Sequence, residues 1–277
     1  MIWIGEGALG SLVSTDEALV HALDHGITVG DGVFETLKVD RGKAFALTRH
    51  LDRLERSAAV LGLVPPDRNV IFAAVEEVLF ANAELLGETA RLRITLTGGV
   101  SPLGIDRGSS GPTLIVAVMP SVAWPESTSL STVPWTRNER SAIAGAKTIS
   151  YAENLVAMSY ARERGASEAI FANTLGNLCE GTGSNIFVVV NDVAMTPPIS
   201  SGCLAGITRE LVLEWSDALE EDLRMEILQT ADEVFLTSST RDVHPVTKID
   251  DRQLPVGPVT AQIRDAFRQR SSADIDP

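Results

Sequence analysis

The stretch "AKTISYAEN" (146–154) contains Lys147, one of only four lysines in the chain beside Lys38, Lys43 and Lys248. Six small or apolar residues without charge, "SAIAGA" (141–146), lead into it. Apolar surroundings disfavour the charged form of a lysine, so the neutral amine becomes available as a Schiff-base nucleophile or general base. A lysine that lays its stem along a strand end and keeps its ammonium in water fits the same residues. A second candidate is "NLCEGTGSNIF" (177–187), where Glu180 is followed by Gly181, Thr182, Gly183, Ser184 and Asn185. Small residues let a backbone pass close to a flat ligand. A carboxylate beside a pyridine nitrogen keeps that nitrogen protonated and turns the ring into an electron sink. A glycine-rich bulge with a solvated glutamate is the competing reading. Three further features suit an anion. "SGCLAGITREL" (201–211) runs small residues into a helix opening near Thr208, whose free N–H groups and positive dipole end attract phosphate. Thr237, Ser238, Ser239 and Thr240 crowd hydroxyls at a strand end. Arg53, on the polar side of a helix held by leucines, offers a guanidinium fork. Each also has a plain reading: a capped helix, a polar turn and a solvated charge.

These residues need elements to position them. "VFETLKVDRGKAFAL" (33–47) reads as a hairpin turning at Asp40-Arg41-Gly42, and 48–63 as a helix with Leu51, Leu54, Ala58 and Leu61 on one face and Thr48 as N-cap. A second helix begins with Pro65 and Pro66. "RLRITLTGG" and "TLIVAVM" read as strands, and "PSVAWPESTS" (120–129) as a linker with a proline at its start and another inside. A strand (131–136), a helix (151–164), a hairpin (168–190) turning at Leu175-Gly176-Asn177, the helix at Thr208, the strand "EVFLTSS" and a helix from about 258 follow. Hairpins outnumber βαβ units, so the expected class is α+β: mixed sheets with flanking helices in two domains, 1–119 and 130–277, joined by 120–129.

Composition narrows the function. A net charge of −14 gives no basic footprint for nucleic acid and repels anionic membranes. No apolar run is long enough to span a bilayer, and the N-terminus lacks a basic region followed by an apolar one. Cys179 and Cys203 form no C-x-x-C or metal-type cluster. The expectation is a soluble, cytoplasmic protein without a metal site, in which a few placed arginines hold any anionic ligand.

Taken in chain order, "GDGVFET" (30–36), "RHLDRLERSA" (49–58), "AKTISYAEN", "EGTGSNIF" (180–187), "LAGITR" (204–209) and "VFLTSS…HPV" (234–246) resemble the class IV aminotransferases, the pyridoxal-phosphate enzymes of fold type IV. The resemblance implies a two-domain D-amino-acid-aminotransferase-like fold, pyridoxal 5'-phosphate as cofactor, a small anionic substrate and a homodimer. By that resemblance Lys147 is the lysine linked to the cofactor, Glu180 the carboxylate on its ring nitrogen and Tyr151 the residue beside its phenolic oxygen. Arg53, Ile207, Thr208, Ser238 and Ser239 form the phosphate cup, and Ser184 and Asn185 belong to the same cofactor site. Relatives often carry Gly-Thr where this chain has Ser238-Ser239, so a hydroxyl is kept and a tight glycine lost.

Within the family, Thr36 matches a threonine that 4-amino-4-deoxychorismate lyases place over the substrate. "TGGVSPLGIDRG" (97–108) is similar to a glycine-rich lyase loop in which Arg107 would bind a substrate carboxylate. Arg93 stands where several members carry a substrate-facing arginine, or is a plain strand-face residue. The leading expectation is therefore a 4-amino-4-deoxychorismate lyase of folate biosynthesis, releasing pyruvate to give 4-aminobenzoate, with Lys147 and Thr36 moving the protons. The alternative is a class IV aminotransferase acting on D-amino or branched-chain amino acids. A cofactor-free binding protein of the same fold is the remote reading, and retention of both Lys147 and Glu180 weighs against it.

Overall fold

Residues 32–40 alternate as a strand must, with Val33, Leu37 and Val39 buried on one side of the pleat. They form one strand of a computed structural model that describes residues 1–7 and 9–277. The chain divides into two units, each described by itself. The first comprises Met1–Val122, Ala146–Ser150 and Ile275–Pro277; the second comprises Ala123–Gly145 and Tyr151–Asp274. The sequence reading ended the first domain at 119 and ran the second without interruption from 130. By contrast, the first unit runs to Val122 and includes the two returning segments.

In the first unit, strands β1 (Ile2–Glu6), β2 (Leu9–Val13), β3 (Gly32–Asp40), β4 (Lys43–Ala44), β5 (Thr89–Thr97) and β6 (Thr113–Pro120) form one antiparallel sheet in the order β2-β1-β6-β5-β3-β4. Its helices are α1 (His25–Thr28), α2 (Leu47–Leu61), α3 (Arg68–Ala81) and α4 (Ala83–Leu86). Leu51, Leu54 and Ala58 of α2 and Ile71, Val75 and Val78 of α3 share a core with Val33, Leu37 and Val39 of β3. Two expected helix starts are corrected. Thr48 is not the N-cap: α2 already begins at Leu47, and Thr48 gives its hydroxyl and its N–H to Asp276, at 2.6 and 2.9 Å. The prolines lie ahead of α3, whose N-cap is Asp67, accepting from the Asn69 N–H at 2.8 Å.

The second unit contains β7 (Thr128–Arg137), β8 (Glu168–Asn173), β9 (Leu178–Gly181), β10 (Asn185–Val190), β11 (Val193–Thr196), β12 (Leu219–Glu220), β13 (Glu233–Ser238), β14 (Asp242–Ile249) and β15 (Arg252–Gln253). They form a mixed sheet in the order β12-β11-β10-β13-β14-β7-β8-β9, with β15 on β14. Strand β7 runs parallel to both β14 and β8. Helices α5 (Ala152–Glu163), α6 (Ile207–Trp215) and α7 (Pro258–Ala273) complete the unit. Phe187 and Phe235 stack at 4.7 Å between ring centres within its core strands. The expected hairpin ends earlier than 190: β8 and β9 close it over 174–177, with Gly176 at φ 77°, whereas β10 leaves to pair with β13 and β11. The class is α+β, as the interleaving of hairpins and helices required. Among the described residues no helix is long and apolar enough to cross a membrane, and no group of three His, Cys, Asp or Glu could hold a metal. Both cysteines are buried, and burial pushes the Cys203 thiol up to about 11, so it is a poor nucleophile.

Candidate active site

In the first unit the site is built on β3. The segment Ala146–Ser150 lies along the start of that strand: the Phe34 N–H donates to the Lys147 carbonyl at 3.0 Å and the Ile149 N–H to the Gly32 carbonyl at 2.9 Å. The Lys147 N–H donates to Ser57 Oγ of α2 at 3.1 Å, which fixes the segment to the helix as well. Lys147 Nζ stands 4.5 Å from the centre of the Phe34 ring, and the Arg93 guanidinium carbon lies 3.7 Å from the same centre. Arg93 faces Thr36 directly across the β3–β5 pair and donates from Nε to Thr95 Oγ1 at 3.2 Å. An amine, a guanidinium, a hydroxyl and an aromatic face are therefore gathered on one side of two strands. The expectation that the apolar run before Lys147 desolvates it is corrected. Residues 142–145 are exposed, and the half-buried lysine is enclosed instead by β3 and α2.

The opposite face of β3 holds a charged cluster that sequence reasoning missed. Arg53 is not on a solvated helix face; it is 4 % exposed. Its Nε and Nη2 donate to Glu35 Oε1 and Oε2 at 2.8 and 2.6 Å, and His50 Nδ1 lies 2.6 Å from Oε2. Burial pushes the Glu35 carboxyl up, but Arg53 and His50 more than offset this and bring it down to about 2. Burial also holds the His50 imidazole below its ordinary value; Glu35 opposes that, and Arg53 and Lys147 reinforce it. A signal was present in the sequence, because Glu35 falls in the Val33–Leu37 alternation where an apolar residue belongs. Arg107, expected to take a substrate carboxylate, is engaged elsewhere. It donates to both Asp31 oxygens at 2.7 Å and to the Leu61 and Gly62 carbonyls at 2.6 and 2.9 Å, pinning the 98–112 loop to the end of α2.

In the second unit Glu180 sits on β9. Its Oε2 accepts from the Leu204 N–H at 2.9 Å, and Arg137 Nε lies 3.4 Å from its Oε1. Arg137 is itself held by Glu153 at 2.6 Å and stacks over Phe171. Tyr151 stands at the start of α5. The turn after Glu180 is braced by a buried carboxylate: Glu168 accepts from the Thr182 N–H and hydroxyl, from Ser184 Oγ at 3.2 Å and from Arg241 Nη2 at 3.1 Å. Ser184 thus gives its proton to Glu168, and Asn185 donates to the Leu204 carbonyl at 2.8 Å. Ile207 and Thr208 open α6 behind Gly206, where no side chain caps the helix. A Cβ at Gly206 would come within 2.0 Å of Asn185 Oδ1, so the position requires glycine. Ser238 ends β13 and Ser239 follows in a turn; the neighbouring Thr237 hydroxyl is buried without a partner.

Each unit, taken by itself, holds residue types that a phosphorylated pyridine aldehyde calls for. The first unit supplies a placed amine and a buried guanidinium. The second supplies a fixed carboxylate, an uncapped helix start and hydroxyls at a strand end.

Residues 32–249 match the family model described as amino-transferase class IV. D-alanine aminotransferase of Staphylococcus aureus is 31 % identical over 94 % of this chain and 95 % of its own length. A branched-chain amino acid aminotransferase from Escherichia coli superposes with a TM-score of 0.87 at 28 % identity, covering 96 % of this chain and 92 % of that one. The PLP-bound form of a hypothetical aminotransferase from Mycobacterium tuberculosis superposes with a TM-score of 0.84 at 29 % identity, covering 97 % of this chain and 99 % of that one.

Proposed function

Because the chain belongs to the class IV aminotransferases, which work with pyridoxal 5'-phosphate, we propose that it moves an amino group between an amino acid with an apolar side chain and a 2-keto acid. The observation that carries this reading is the pairing of Lys147 Nζ and the Arg93 guanidinium on the Phe34 ring. It sets a proton-moving amine beside a carboxylate-binding fork. The named relatives act on D-alanine and on branched-chain amino acids, and both kinds of substrate join one carboxylate to an apolar side chain.

When bound, the cofactor supplies the electron sink that makes an amino acid α-proton removable. The chain supplies the rest. Lys147 takes that proton on Nζ and returns it. Glu180, fixed by the Leu204 N–H, would keep the ring nitrogen protonated. Arg53 from the first unit, and from the second the start of α6 at Ile207 and Thr208 and the hydroxyls of Ser238 and Ser239, would hold the phosphate, and Tyr151 would serve the phenolic oxygen. Arg93 orients the substrate carboxylate, and Thr36 borders it.

The lyase expectation leaned on Thr36 and Arg107. Arg107 is committed to Asp31, and the relatives carry aminotransferase names, so the amino-transfer alternative is the better supported of the two. The test incubates the loaded enzyme with D-alanine or L-leucine, with and without 2-oxoglutarate. Sustained keto-acid formation that requires the acceptor supports the proposal. Sustained pyruvate release from aminodeoxychorismate without any acceptor refutes it. A homodimer is part of the proposal, and an active species of monomer mass in light scattering would count against it.

A further inference from the structure

We propose that Glu35 and His50 are positioning residues for Arg53, fixing which edge of its guanidinium meets the cofactor's phosphate. The proposal rests on the reading that Arg53 is a phosphate ligand. A guanidinium presents its N–H groups in a rigid planar fork, so an anion on one edge dictates how the other edge points. Glu35 takes the Nε–Nη2 edge with both oxygens, at 2.8 and 2.6 Å, and the Nη1 end is turned away from it. The carboxylate is itself held: Oε2 also receives His50 Nδ1 at 2.6 Å. An ionised carboxylate has no hydrogen to give, so His50 is the donor and carries its proton on Nδ1. His50 and Arg53 are three residues apart on α2 and face the same way, while Glu35 comes up from β3. Glu35, His50 and Arg53 are 0, 1 and 4 % exposed, so water does not compete for these bonds.

Stability alone is a weak reason for such a cluster. A buried ion pair is often no better than apolar residues of the same volume, and Glu35 stands between Val33 and Leu37 on a face that otherwise feeds the hydrophobic core. What the cluster does provide is a guanidinium already neutralised and oriented before any phosphate arrives, so little reorganisation is needed on binding.

The test uses cofactor-free protein titrated separately with pyridoxal 5'-phosphate and with pyridoxal, which lacks only the phosphate, and follows protein fluorescence. The readout is the ratio of the two dissociation constants, which a general loss of folding does not change. Arg53→Gln is expected to cut the preference for the phosphorylated form. Glu35→Gln is expected to cut it by about tenfold, with pyridoxal affinity unchanged. His50→Asn should give a smaller loss of the same kind, and Glu35→Gln added to Arg53→Gln should give no further loss. If Arg53→Gln keeps the full preference, the phosphate reading of Arg53 falls and the inference falls with it. If Arg53→Gln loses the preference but Glu35→Gln and His50→Asn keep it, the reading stands and the inference is overturned. Equal weakening of both ligands by Glu35→Gln also overturns it. Should Glu35→Gln not yield folded protein, His50→Asn decides: a reduced preference supports the inference and an unchanged one overturns it.

Discussion

Lys147 concentrates the proposed chemistry in one amine, and Lys147→Ala should abolish both covalent attachment of the cofactor and turnover. Borohydride reduction followed by peptide mass spectrometry checks the site; a label on Lys38, Lys43 or Lys248 would contradict it. Glu180→Gln should keep the cofactor bound but slow turnover by roughly 10²-fold, about 3 kcal/mol of barrier, because an amide cannot hold the ring proton. Steady-state rates of the loaded variant against wild type measure this. The buried cluster on the other face of β3 predicts a pH effect on stability. Glu35 titrates near 2 in the folded chain, below its ordinary value of 4.5, so the folded state binds fewer protons than the unfolded one across that interval. His50, held below 6.5, acts in the same direction at higher pH. Their stabilisation is complete above the ordinary values and drains away as pH falls, the Glu35 share between about 4.5 and about 2. Urea unfolding at a series of pH values should show this slope, and Glu35→Gln should flatten its acid end.

At the scale of elements, the turn between β9 and β10 depends on Glu168. Replacing it with Gln removes a carboxylate partner of Arg241, whose side chain is only 6 % exposed. Breaking one half of a buried pair typically destabilises by about 3–5 kcal/mol. Denaturant unfolding should show that loss, and hydrogen exchange should show faster opening at 181–185 than in β13. Much of this level was legible in the sequence. Apolar alternation and turn residues gave β3, β5, β6 and the β8–β9 turn, because those patterns follow from local geometry. Partners distant in sequence were not legible. Periodicity places Arg53 outward, since a charge on a leucine-faced helix normally is solvated. Glu35, arriving from another element, makes its burial tolerable. Thr48 looks like a cap until Asp276 takes its hydroxyl. The apolar run before Lys147 suggested a dry setting, yet the shielding comes from β3 and α2, which no local window contains.

Across the whole molecule, the net charge of −14 acts on substrates before any contact is made. A 2-keto acid is an anion, whereas an amino acid is a zwitterion with no net charge. Long-range repulsion therefore slows capture of the keto acid selectively, and salt screens that repulsion. Raising ionic strength from about 0.01 to about 0.15 M, where the screening length falls from roughly 30 to 8 Å, should increase kcat/KM for the keto acid more than for the amino acid. Equal responses in the two half-reactions would contradict this. The segment carrying Lys147 has a consequence in time. Strand β3 donates to the Lys147 carbonyl and accepts from the Ile149 N–H across more than a hundred intervening residues, and contacts of such long sequence separation form late because their loop entropy must be overcome first. On a growing chain, the β3–β5–β6 sheet can pair before residue 150 has been made. The amine then reaches its place after that sheet, so a half-folded chain carries the scaffold of the site without its reactive group.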